Sequence, residues 1–137
     1  MEVYGSYETS REMASGRGSS VFAAVKRGGD NGAKYAVKVV FPATGADDPF
    51  AEAASSGPDP TEAFLSSVAV QKKAAASSPH VTPVLESGHD ARGAWCVTPL
   101  YPRSIQSIVA GRVALPHAGV FHVLQAVVAG LLDLKRA

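Results

Sequence analysis

Met13–Phe22 reads MASGRGSSVF, and sixteen residues beyond Phe22 lies Lys38, in YAVKVV. Small residues in a turn let backbone N–H groups approach an anion closely. A lysine on a neighbouring strand supplies positive charge to the same anion. The chemistry that suits this pair is the binding of phosphate oxygens. A turn that merely joins two strands uses the same residues, and a solvent-facing lysine is the commoner fate of that side chain. A dinucleotide-binding loop fits less well, because it opens a helix after a strand. These glycines lead instead into VFAAVKR, which reads as a strand.

The elements that must position the pair follow from pattern and punctuation. Tyr7–Met13 alternates weakly, Val21–Arg27 alternates better, and Lys34–Phe41 is rich in β-branched and aromatic residues. All three read as strands of an antiparallel meander, with Gly28–Gly32 (GGDNG) as a turn. Ala36, Lys38 and Val40 share one face of the third strand, and Tyr35, Val37 and Val39 the other, which is expected to face a helix. Thr44–Pro60 is dense in Gly, Pro, Asp and Ser and reads as a flexible insertion. Asp59 is placed to cap a helix opening at Pro60 or Thr61 and running to about Ala76, with apolar spacing at Phe64, Val68 and Ala75. Ser77-Ser78-Pro79 stops it. Val81–Glu86 and Ala94–Thr98 read as two further strands around a Gly88–Gly93 turn. Ser104–Ala110 reads as a short helix, and Pro116–Arg136 as a long one with polar positions at His122, Gln125 and Asp133. No internal repeat is present.

Composition narrows the function classes. A chain of 137 residues, 46% hydrophobic and 18% charged, is long enough for one compact domain with its own core. Thirteen basic against twelve acidic residues leave a net charge of +1, which predicts no electrostatic pull toward nucleic acid or a membrane surface. The single cysteine, Cys96, excludes an internal disulfide and suits a reducing compartment, and MEVYGSYE lacks the features of a secretory leader. His80, His89, His117 and His122 are scattered and have no cysteine at zinc spacing, so no metal site is expected. Val120–Leu134 is the most apolar stretch, and at that length it is too short to span a bilayer. A cytoplasmic location is the expectation.

Three strands, a helix, two strands and then helices is an order that resembles the small lobe of a eukaryotic-type serine/threonine protein kinase, followed by the first helices of its large lobe. The resemblance covers nearly the whole chain and divides it into a lobe with hinge at 1–101 and a helical start of a second lobe at 102–137. The family's glycine-rich loop, G-x-G-x-x-G-x-V, falls on Ala14, Ser15, Gly16, Arg17, Gly18 and Ser19, with Val21 as its valine. Only the second of its three glycine positions is glycine, while Ala14 and Ser19 are merely small. Ala36-Val37-Lys38 is similar to the A-x-K strand whose lysine binds the α- and β-phosphates of ATP. The resemblance implies an adenine sandwiched by Val21 and Ala36. It makes Thr98 the residue flanking the adenine pocket. Pro99–Tyr101 becomes the hinge, where only the Pro99 carbonyl and the Tyr101 N–H can serve, since proline has no N–H. Trp95 and Cys96 are packing residues in this reading.

Two departures bear on activity. The family's helix carries a glutamate that pairs with the strand lysine; alignment puts Ser67 or Ala69 there, and Glu62 lies about one turn too early. Leu131–Ala137 (LLDLKRA) resembles the end of the helix before the catalytic loop, yet neither H-R-D nor D-F-G occurs in these 137 residues. The resemblance therefore implies an α+β fold, a five-stranded antiparallel sheet with one packed helix, then a short and a long helix. Its cofactor is ATP, with Mg held only where a complete second lobe is present, and its partners are a protein substrate or a signalling protein. No catalytic residue is assigned within this chain. The alternatives are a pseudokinase that acts as scaffold or nucleotide sensor, and a small β-rich interaction domain whose glycines are only turns. The apolar stripe of Val120–Leu134, left without its lobe, is expected to self-associate, to fold back on the strands or to remain disordered.

Overall fold

The computed structural model describes residues 1–29, 32, 34–43, 59–112 and 114–137. Most of the proposed Thr44–Pro60 insertion, and much of the Gly28–Gly32 turn, lie outside the described residues. Along the chain come β1 (Val3–Tyr4), β2 (Tyr7–Gly16), β3 (Ser19–Lys26), β4 (Tyr35–Val40), α1 (Pro60–Ala75), β5 (Glu86–Asp90), β6 (Gly93–Pro99), α2 (Ile105–Ala110) and α3 (His117–Arg136). The fold is α+β, with one antiparallel six-stranded sheet in the order β1-β2-β3-β4-β6-β5 and three helices among the described residues.

The sheet has one strand more than the five expected. Gly5, at φ +58°, lets the chain reverse between β1 and β2, so that Tyr4 pairs with Tyr7 and is 1% exposed. A two-residue strand carries no periodicity of its own, and long-range packing of its tyrosine defines it. The fourth expected strand is also displaced. Val81–Leu85 is not strand, because Pro83 interrupts it, and β5 is instead the polar ESGHD of Glu86–Asp90. Gly88 makes that possible: a Cβ there would sit 2.5 Å from the Trp95 ring, so only glycine lets the indole lie against β5. The β5–β6 turn is Ala91–Arg92, closed by the Asp90 carboxylate, which accepts from the Arg92 backbone N–H at 2.9 Å. Gly93 follows at φ +132°, where a Cβ would collide with the Val40 carbonyl oxygen.

Right-handed twist and two register shifts in β2, at Thr9/Arg11 and Glu12/Ala14, curl the sheet until its opposite edges meet. Tyr4 of β1 stacks edge-on against Trp95 of β6 at 5.9 Å. The Arg92 guanidinium donates to the Val3 carbonyl at 2.8 Å and lies 4.1 Å from the Tyr4 ring. The Ser6 N–H donates to the Glu86 carboxylate at 3.3 Å. The sheet is thus nearly a barrel, and its interior is the core: Tyr4, Tyr7, Ala24, Val37, Val39, Trp95 and Val97, flanked by Phe22 and Tyr35.

This corrects the expectation for β4. Tyr35, Val37 and Val39 face the interior of the curled sheet and not a helix. Alternation defines two faces but does not say what covers each. The aromatic residues at positions 4, 7, 35 and 95 fill the concave side, and α1 is left for the Lys38 face. Val68 and Ala74 are its buried apolar residues, with Ala74 in place of the expected Ala75. Its start is as expected: the Asp59 carboxylate accepts from the Thr61 N–H at 3.0 Å, Pro60 opens the helix, and that hydrogen bond holds the carboxyl below the usual range.

α2 is capped by Ser104, whose hydroxyl accepts from the Ser107 N–H at 3.1 Å, and it buries no residue. α3 folds back on α1 rather than hanging free. Gly130 is its buried residue; a Cβ there would lie 3.0 Å from the His80 carbonyl oxygen. The Lys73 ammonium reaches the Ala137 carbonyl at 3.3 Å. The outer side of α3 stays exposed, with Phe121 at 64% and Leu124 at 57%. The apolar segment is also longer than Val120–Leu134 suggested. Among the described residues, α3 is the one helix of sufficient length, 20 residues, and apolar character to cross a membrane. The expectation that the stretch is too short does not hold by length.

Candidate functional site

Cross-strand register assembles the residues singled out from sequence. Ala14 of β2 pairs with Val21 of β3, Val21 with Lys38 of β4, and Lys38 with Cys96 of β6, which in turn pairs with Ser87 of β5. One rung away, Ala23 pairs with Ala36 and Ala36 with Thr98. Directly opposed residues share a face, so Val21, Ala36, Lys38, Cys96 and Thr98 form one surface, the outer face of the curled sheet. That β6 sits between β4 and β5 is what brings Thr98 beside Ala36. A chain-order meander would separate them.

The glycine loop lies at one end of this surface, where the β2–β3 hairpin turns beside the end of β4. Ser15 pairs with Ser20, Gly16 with Ser19, and Arg17–Gly18 is a two-residue turn. Gly18 takes φ +77°, the conformation that the third residue of a type II turn needs and that favours glycine. Its carbonyl accepts from the Phe41 N–H at 2.8 Å, which ties the turn to the end of β4. A Cβ at Gly16 or Gly18 would meet nothing within 4 Å, so the turn borders open space.

At the other end of the surface, the Leu100 N–H donates to the Lys34 carbonyl at 2.9 Å. Residues alternate in direction along a strand, so the Pro99 carbonyl points to the opposite edge of β6. That edge is free of β5 at this level, because Glu86 opens β5 opposite Val97. Tyr101 lies beyond β6 and is 54% exposed.

Lys38 is exposed, and its ammonium stands 5.7 Å from the Phe64 ring centroid of α1. Among the described residues, the ion pairs are Arg92 with Glu2 and Asp90, and Arg136 with Asp133; no carboxylate pairs with Lys38. Ser67 turns its hydroxyl to the Phe64 carbonyl at 2.7 Å, and Glu62 and Ala69 are exposed. The helix therefore presents an aromatic ring where an acidic partner was sought. Lys72, two turns beyond Phe64 on the same side of α1, donates to the Ser87 hydroxyl at 2.6 Å. The i, i+4, i+8 spacing of Phe64, Val68 and Lys72 is the signal that could have drawn attention to both. Cys96 lies beneath, 5% exposed; burial pushes its thiol up, while Lys38 and Lys72 pull it back.

A groove of about 450 Å³ lies elsewhere, between α1, residues 80–82 and α3, lined by Gln71, His80, Val81, Val127, Leu131 and Leu134 among others. None of the residues assigned to phosphate or adenine lines it, whereas Ser67 of α1 and Val127, Leu131 and Leu134 of the apolar stripe do. α1 covers the Cys96 end of this face, while Val21, Ala36 and Thr98 are half-buried and Lys38 is exposed, so a ligand beside them would be held by face and edge contacts rather than by enclosure. Comparison with known proteins finds no family model and no curated protein that matches this chain.

Proposed function

We propose that the Lys38 face is an ATP site and that the chain is the nucleotide-binding lobe of a serine/threonine-type protein kinase domain. The observation that carries this reading is the register that lays Val21, Ala36, Lys38 and Thr98 on one face, with the Arg17–Gly18 turn at its end. In it, the base lies against Val21 and Ala36 and meets the Pro99 carbonyl and Tyr101 N–H at the free edge of β6. The phosphates run under residues 14–19 toward Lys38. The domain works in the cytoplasm, where a reduced Cys96 is expected. In an intact domain of that kind, the γ-phosphoryl group passes to a hydroxyl of a protein substrate, with Mg supplied by motifs outside these residues.

A second reading, a pseudokinase that binds nucleotide or a signalling partner without catalysis, is favoured by one observation: the Phe64 ring, not a carboxylate, faces Lys38. Both readings share the site and predict no phosphoryl transfer by this chain. Calorimetric titration of ATP into the wild type and Lys38→Ala tests the shared site. A charged hydrogen bond to phosphate is worth about 1.5–3 kcal/mol, so Lys38→Ala should weaken binding by about tenfold or more. Equal binding by both proteins, or no binding by the wild type, would overturn the proposal.

A further inference from the structure

The backbone of Lys38 is fixed and its ammonium is not. Val37 and Val39, its neighbours on β4, have no exposure, whereas Lys38 itself is exposed. A lysine carries its charge on a flexible four-carbon stem, and holding that stem in one rotamer costs entropy. The ring that the ammonium meets is better anchored. Thr61 and Val68 of α1, each 3% exposed, are buried on either side of Phe64 along the helix, and Phe64 is itself half-buried. Further along, Gln71 donates to the Thr82 carbonyl at 2.8 Å and Lys72 to the Ser87 hydroxyl at 2.6 Å, which ties α1 to β5 and to the loop before it. The ammonium stands 5.7 Å from the ring centroid, within the range at which a cation is drawn to an aromatic face. Of the two partners, the ring is the fixed one and the ammonium is the one positioned.

An aromatic face holds a cation differently from a carboxylate. It attracts the charge through the ring quadrupole without cancelling it. At 5.7 Å it also takes none of the three ammonium N–H donors. We propose that Phe64 is the positioning residue of the anion site: it holds the Lys38 ammonium over the sheet with its charge and its donors still available to phosphate oxygens. The proposal rests on the nucleotide reading for the identity of the anion as the tail of ATP. The ring stays in place when the anion arrives, and the lysine stem has already lost the freedom that binding would otherwise cost. The seat of α1 on the sheet thereby becomes a determinant of affinity, because it sets where the ring lies.

The test titrates ATP and inorganic tripolyphosphate into the full chain by calorimetry. Wild type is compared with Phe64→Leu, Phe64→Tyr, Lys38→Ala and the double variant Phe64→Leu/Lys38→Ala. Leucine keeps an apolar side chain on the helix and removes the ring, whereas tyrosine keeps the ring. Phe64→Leu should weaken both ligands by about two- to fivefold, what one partly exposed cation–π contact is worth. Phe64→Tyr should bind as the wild type does, and Phe64→Leu should change nothing further once Lys38 is alanine. ATP binding that needs Lys38 but is unchanged in Phe64→Leu overturns the proposal and leaves the nucleotide site standing. An equal loss in Phe64→Tyr, or the same loss on the Lys38→Ala background, assigns the effect to packing and also overturns the proposal. Tripolyphosphate binding that needs both residues, with ATP no tighter, overturns the nucleotide reading and leaves the role of Phe64 standing. Binding of neither ligand overturns both.

Discussion

The curled sheet and α3 draw on the same apolar residues and treat them in opposite ways. Val37, Val39 and Val97 have no exposure at all, whereas Phe121, Leu124, Val128 and Leu131 of α3 are each more than half exposed. The sheet is self-sufficient because it curls until its own edges touch, through Tyr4 against Trp95 and Arg92 against Val3. A single helix cannot close on itself and covers only the side it lays on α1. Burial in this molecule follows geometry more than hydrophobicity, and the candidate site inherits that difference. It lies on the outer face of the rigid element, held in place by register, and owes little to the helices at the C-terminal end.

The sharpest way to break the comparison is at the seam of the sheet. Trp95→Ala removes the indole that meets Tyr4 and rests on Gly88, and should cost about 3–5 kcal/mol, the range for truncating a buried large aromatic. Thermal unfolding followed by circular dichroism checks this. A loss below about 1 kcal/mol would mean that the edges do not depend on one another.

A smaller effect at the same seam should appear only in alkali. Burial, and the Glu2 carboxylate that accepts the Tyr4 hydroxyl proton at 2.5 Å, push the Tyr4 phenol up to about 12 from 10.0. A raised folded value favours the protonated phenol in the native state. Its stabilising contribution is complete below pH 10, the unfolded value, and is lost as the pH climbs from there toward 12. Denaturant titrations should show stability falling across that window, and Tyr4→Phe should flatten the fall. An identical slope in the variant would contradict the assignment.

The smallest change in stability belongs to α3. Leu124→Glu combined with Val128→Glu places charges on its outward side, and the melting midpoint should move by no more than about 0.5 kcal/mol equivalent, as at ordinary surface sites. A loss comparable with that of Trp95→Ala would show that this side is covered and that the two regions are not so different.

What was legible in the sequence divides along the same line. β4 lies within the expected Lys34–Phe41, α1 begins at the proline after the capping Asp59, and α3 ends at Arg136 as expected. Those elements have strong local signals: β-branched runs, a cap, a long apolar period. β1 and β5 have none. β1 is two residues held by Tyr4, and β5 is a polar pentapeptide made a strand by pairing with β6 and by the room Gly88 leaves for Trp95. The covered face of β4 was equally illegible, because alternation is symmetric and only the tertiary curl breaks the tie. For the site, the turn at Arg17–Gly18 and the positions of Lys38 and Thr98 could be read from pattern. The neighbours Phe64 and Lys72 could not be matched to Lys38 without knowing which flank of α1 meets the sheet.

The claim at the centre of this account is that ligand contacts fall on the outer face of the sheet and spare the C-terminal helix. Amide chemical-shift mapping of the full chain with ATP addresses it directly. The predicted result is a set of shifts confined to Arg17, Gly18, Val21, Ala36, Lys38, Thr98 and Tyr101, with α3 unmoved. Shifts centred on His80, Val127 and Leu131, in the groove between α1 and α3, would contradict it and move the site to the other region.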